Sequence, residues 1–164
     1  MTLGTHAVAG ALAAQLFPSH PVLGFAAGFV SHFAMDAIPH GHYKLHSKNY
    51  KPDDRLGENM TVKSRAFLVD LFHAGIDAGA GIIIALIIFG VISPIQALAG
   101  AVGGILPDLL QFVYFKTKFE PFITLQKFHI KMHSKKSLNE NLAAAIAVEG
   151  SVIIFAVIVG RLFI

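Results

Sequence analysis

The chain has no cysteine, and only 14% of its 164 residues are charged. Without cysteine there are no disulfides and no thiolate ligands. Any metal would rest on imidazole and carboxylate, donors that suit zinc, manganese, iron or magnesium better than a soft metal. A soluble domain carries about 25% charged residues. The scarcity here, with 54% hydrophobic residues and a mean hydropathy of +0.63, points to lipid as the main solvent. Sequences of the form GxGxxG, GxxxxGK[ST] and GxSxG are also missing. Nucleotide binding and serine hydrolysis therefore have no support.

What is present is a set of apolar segments without sustained strand alternation, which reads as all-α. Five are expected, over residues 3–17, 21–38, 64–92, 93–115 and 142–164. A span needs about 20 residues; the last three reach that length, 21–38 nearly does, and 3–17 is short. The reading is one helical membrane domain over residues 1–164, a bundle of about five helices. Ala11-Leu12-Ala13 resembles a signal-peptide cleavage site, but no Lys or Arg precedes it, so a cleaved leader is disfavoured. Residues 121–134 read as an amphipathic interfacial helix in the second basic loop, with Phe122, Leu125, Phe128 and Met132 on its apolar side.

Charge position gives a topology. Twelve of the thirteen Lys and Arg residues lie in two stretches, 44–65 and 116–136. Basic loops stay on the cytoplasmic side, so the expectation is a cytoplasmic N-terminus and five crossings of the plasma membrane. Glycines recur where membrane helices pack closely: Gly24 and Gly28, then Gly75, Gly79, Gly100, Gly103 and Gly104.

Against this apolar background stand Asp36, Asp70, Asp77, Asp108 and Glu149, together with His6, His32 and His73. A charged group at the bilayer centre costs about 2.5–3.5 kcal/mol on insertion scales, so eight polar residues in so small a chain call for a purpose. His32 and Asp36 form an HxxxD, and His73 and Asp77 form another. Positions i and i+4 share a helix face, suitable spacing for two ligands of one metal. His129 and His133 repeat it in the second basic loop. The expected topology places all of these in the cytoplasmic half or near the midplane.

The expected metal ligands are His6, His32, Asp36, His73, Asp77 and Asp108, with His40 and Glu149 as further candidates. Six groups exceed the three protein ligands of one catalytic zinc and suit one or two ions, zinc favoured, with manganese or magnesium as alternatives. Asp70 or another unligated carboxylate is a candidate base, and His129 and His133 are candidate proton donors to a leaving group or further members of the coordination shell. Lys44, Lys48, Arg55, Lys127 and Lys131 are expected near the headgroup plane, where they would attract phosphate. His42 and His46 read as solvated loop histidines.

The segment Ser31-His32-Phe33-Ala34-Met35-Asp36 resembles the SHxxxD signature of predicted membrane-bound metal-dependent hydrolases of bacteria. Thr5-His6 and Leu106-Pro107-Asp108 resemble two further motifs of that family, although here the Leu-Pro-Asp follows the SHxxxD. The set is also distantly similar to zinc-dependent phospholipase C. The resemblance implies a divalent-metal hydrolase acting on a phospholipid or another membrane-linked phosphoester, with membrane lipid as partner and no nucleic acid. A metal-ion or solute transporter and a non-catalytic membrane scaffold are the competing expectations.

Overall fold

The computed structural model describes residues 1–51, 53–91 and 93–161. Its helices are α1 (Leu3–Ala14), α2 (Pro21–Asp36), α3 (Arg65–Phe89), α4 (Pro94–Thr117), α5 (Phe122–Met132) and α6 (Leu142–Gly160). A two-residue hairpin pairs β1 (Lys48–Asn49) with β2 (Asn59–Met60) in antiparallel register, around a short 3-10 turn at Arg55–Gly57.

Helix ends follow local chemistry. Thr2, Ser64, Ser93 and Asn141 each cap a helix, their side-chain oxygens accepting from the backbone N–H three residues on. Pro21 and Pro94 occupy the first helical position, where no N–H is needed. Pro39 follows α2, and a residue before proline is steered away from helical geometry.

Three helices, α3, α4 and α6, are long and apolar enough to cross a membrane. The expectation of about five spanning helices is met only at this coarser level. At 1.5 Å per residue, α1 covers about 18 Å and α2 about 24 Å, short of a hydrocarbon core about 30 Å thick. α1 has another role. Ten of its twelve residues are buried, and it packs against α2, α3, α4 and α6 as the centre of the bundle. Its Ala7, Val8 and Ala11 join Ala97, Ala101, Ile105 and Phe89 in the core.

Close packing rests on glycine. A Cβ at Gly10 or Gly28 would overlap the Gly100 carbonyl, and one at Gly104 would overlap the His6 carbonyl. α4 is thereby seated backbone to backbone on both α1 and α2. Gly75 and Gly79 differ from the expectation, since nothing lies within 4 Å of a Cβ at either position. Their spacing is glycine-rich without a helix partner on that face.

Basic residues fasten the first basic loop to α4. Lys116 Nζ donates to the Met60 carbonyl at 2.6 Å, and Lys118 Nζ donates to the carbonyls of Leu56 and Glu58 at 2.6 Å each. Tyr114 donates to Leu56 at 2.7 Å. The two positive stretches are thus partly structural.

Candidate metal centre

Asp36, the last residue of α2, is the hub. Both of its neighbours at i±4 are histidines that turn toward it. His32 Nε2 lies 3.3 Å from Oδ2, and His40 Nε2 lies 3.6 Å from Oδ1. From α1, His6 Nε2 stands 3.2 Å from Oδ1, and from α5, His129 Nε2 stands 2.8 Å from Oδ2. Asp108 of α4 completes the group, with Oδ1 at 3.8 Å from His32 Nε2 and 3.9 Å from His129 Nε2. The α-amino nitrogen of Met1 is 3.8 Å from Asp36 Oδ1 and 3.5 Å from His42 Nδ1. His6, His32, Asp36 and His129 are each no more than 3% exposed.

Hydrogen bonding fixes the state of the His32 ring. Nδ1 lies 2.8 Å from the Gly104 carbonyl. A carbonyl only accepts, so Nδ1 carries the proton. If the ring is neutral, Nε2 presents a lone pair to Asp36 Oδ2. Two acceptors then face each other in a buried site, and a cation is the natural remedy. A carbonyl holding the remote N–H is also the usual support for a metal-bound histidine.

Protonating all the rings is the other way to supply positive charge. The His6 and His32 rings stack with centroids 4.0 Å apart. Two unit charges at that distance repel by about 4 kcal/mol at an effective dielectric of 20, so doubly protonating this pair is costly. A tetrahedral ion with bonds of about 2.0–2.1 Å separates neighbouring ligand atoms by about 3.4 Å. Three of the four histidine separations around Asp36, at 3.2, 3.3 and 3.6 Å, lie close to that, whereas His129 Nε2 at 2.8 Å is within hydrogen-bond range of Oδ2. Asp36 Oδ1 and His6 Nδ1 have no hydrogen-bond partner. The donor set fits a divalent cation, and two groups could hold one: His6, His32 and Asp36, and His32, Asp108 and His129.

The remaining expected residues fall elsewhere. His73 lies on an exposed face of α3, outside every grouping of metal-ligating side chains among the described residues. Its HxxxD partner Asp77 accepts from the backbone N–H groups of Leu3 and Gly4 at 2.7 and 3.1 Å. It caps the first turn of α1. Asp70 is occupied as well, accepting from the Ser47 amide and hydroxyl at 2.7 Å each and from the His46 amide at 3.0 Å. It anchors the loop after α2. Glu149 accepts from the hydroxyls of Thr2 and Thr5 at 2.7 and 3.1 Å. We expect Asp77→Ala to lower stability by about 0.5–2 kcal/mol, the range for a lost helix cap, while metal content stays unchanged. Thermal melting and metal analysis on one sample check both.

His133 joins a separate histidine group with His40 and His42. Burial first, and then the nearby α-amino group, holds His40 down to about 4. His133 is lowered for the same first reason. Of the basic residues, Lys48 is paired with Glu58 at 2.9 Å, whereas Lys44, Lys127 and Lys131 are exposed. Arg55 and Lys127 share a depression of about 340 Å³ with Asp53 and Asp54.

Sequence reasoning set His42 aside as a solvated loop histidine and gave His129 as a proton donor or a further ligand; the structure places both beside Asp36. The signal for His129 was Gln126, three residues earlier. Both polar side chains lie on the buried face of an otherwise amphipathic α5. For His42 the signal was the His-Gly-His directly after the site helix. Comparison of the chain with models of protein families, with curated proteins and with solved structures finds no match.

Proposed function

We propose that the protein is a membrane-embedded, divalent-metal-dependent hydrolase of a phospholipid or another membrane-linked phosphoester, held in a bacterial inner membrane with its site toward the cytoplasm. The observation that carries the metal is the convergence of His6, His32, Asp36, Asp108 and His129 from four helices on one buried point. Hydrolysis is supported by the resemblance of Thr5-His6, Ser31-His32-xxx-Asp36 and Leu106-Pro107-Asp108 to membrane-bound metal-dependent hydrolases.

A bound divalent ion would supply Lewis acidity and bring a coordinated water toward neutral pKa. The chain's own groups do the rest. Gly104 orients His32 through its carbonyl, and Asp36 reaches both halves of the ligand set through its two oxygens. Asp108 is the least buried member, with 29% of its side chain exposed, and its free oxygen is placed to take a proton from an incoming water. The exposed Lys44, Lys127 and Lys131 would draw an anionic headgroup toward this end of the bundle.

The test is hydrolysis of generic phosphomonoesters, phosphodiesters and short-chain phospholipids by the detergent-purified chain. Activity abolished by a chelator, restored by zinc or manganese and lost in Asp108→Asn is the expected result. Metal-replete protein that turns over none of these, but moves the ion across proteoliposomes, would replace the hydrolase with a transporter.

A further inference from the structure

His40, His42 and His133 form a group beside Asp36 that has no histidine in common with the two groups described above. One ring nitrogen from each falls within 4.8 Å of the others. We propose that these three histidines form a second cation site, with Asp36 bridging it to the first, and that the ion is a zinc-class transition metal rather than magnesium or calcium. All three donors are imidazole nitrogens, which favour zinc, copper, nickel or iron over the hard cations.

Two observations carry the site beyond the mere proximity of three rings. The first is the direction of the lone pairs. His40 Nδ1 is 2.6 Å from the Ile38 carbonyl, and His133 Nδ1 is 3.1 Å from the Ser134 carbonyl. Each carbonyl can only accept, so each Nδ1 bears the proton and each Nε2 offers its lone pair to the cluster. This matches the arrangement that holds His32 in the first centre. A histidine ligand commonly gives its other N–H to a carbonyl or carboxylate.

The second observation is an unmet demand. His40 is 1% exposed, and its Nε2 has no hydrogen-bond partner. Asp36 Oδ1, 3.6 Å away, has none either. Buried polar atoms without partners are rare. With its Nδ1 on the Ile38 carbonyl, His40 turns Nε2 toward Asp36 Oδ1 across a gap beyond hydrogen-bond range. That gap is close to the ligand-to-ligand edge of a tetrahedral zinc site, about 3.4 Å. Asp36 faces His32 and His129 with Oδ2, and His6 at 3.2 Å and His40 at 3.6 Å with Oδ1, so one carboxylate touches both histidine groups.

The backbone builds this juxtaposition. The segment after α5 is strapped to the segment after α2, with Ser134 N donating to the Asp36 carbonyl at 2.7 Å and Leu138 N to the His40 carbonyl at 3.0 Å. His42 N donates to Asn139 Oδ1 at 2.7 Å. The His42 and His133 rings stack with centroids 4.9 Å apart. His42 is exposed, so its ring is free to turn inward, and with Asp36 Oδ1 the three imidazoles make up the four ligands of a tetrahedral ion.

The proposal stands on its own ligands and does not require hydrolysis. The test is metal counting on the full chain, purified in detergent and dialysed against zinc or cobalt, for wild type, His42→Ala, His133→Ala and His129→Ala. Because His42 is exposed and its backbone bond to Asn139 survives truncation, His42→Ala should melt with wild type once both are chelated. The expected result is the loss of about one equivalent in His42→Ala and in His133→Ala, with weaker cobalt absorption. A separate equivalent should be lost in His129→Ala. Wild-type stoichiometry in both His42→Ala and His133→Ala overturns the second site. If that coincides with loss in His129→Ala, the first centre stands alone; loss in His42→Ala and His133→Ala only would leave the second site and remove the first.

Discussion

Asp36→Asn is expected to empty the site. It removes the carboxylate that reaches four histidines, at 2.8, 3.2, 3.3 and 3.6 Å. Mutation of an outer partner alone costs about 10- to 100-fold in metal affinity, so loss of this ligand should cost roughly 100-fold or more. Stability supplies a second readout. An ion at 100 times its dissociation constant stabilises a fold by about 2.7 kcal/mol. At about 2–4 °C per kcal/mol for a chain of this size, chelation should lower the wild-type Tm by about 5–10 °C. The same chelator should leave Asp36→Asn unmoved. The opposite pattern marks a metal-free ion network: no chelator effect on wild type, and a loss of about 3–5 kcal/mol in Asp36→Asn, the cost of breaking a buried pair.

Gly100→Leu should be the most damaging change to the bundle. Its Cβ would overlap the Gly10 carbonyl and come within 2.5 Å of the Ala14 Cβ. The obstacle is partly backbone, so no rotamer change relieves it. Overpacking costs about 1–3 kcal/mol and sometimes more, or a Tm lower by about 2–12 °C on the same scale. The effect should reach the site, since α1 and α2 bring His6 and His32 to α4 across this contact. Gly75→Leu is the matched control, because a Cβ there meets nothing within 4 Å. Size-exclusion profiles and thermal melting in detergent check the pair. Equal behaviour of the two variants would contradict the packing described here.

Much of the architecture was legible in the residues. Hydropathy and caps located every helix, and Pro21, Pro39 and Pro94 marked boundaries by what proline cannot do. What the sequence could not supply was the orientation of α3. The i,i+4 spacing of His73 and Asp77 puts them near one another, as it does for His32 and Asp36. Which side of a helix looks inward is a separate question, and apolarity around all of α3 leaves it open. Asp77 turned to the amide end of α1, and His73 stayed outside. The bundle of about five spanning helices was overdrawn for a related reason. α1 is apolar because it is buried in protein, and composition does not distinguish that from burial in lipid. What the residues did not show is that the segments after α2 and α5 are strapped together, the long-range contact that sets His42 and His133 beside His40.

The most direct measurement is X-ray absorption at the metal edge, together with metal quantification, on wild-type protein purified in detergent without added chelator. The account predicts stoichiometric divalent metal bound by imidazole nitrogen and carboxylate oxygen at about 2.0–2.2 Å, lost in Asp36→Asn and retained in His73→Ala. Protein free of metal after reloading, with a Tm that neither zinc nor chelator moves, would contradict it.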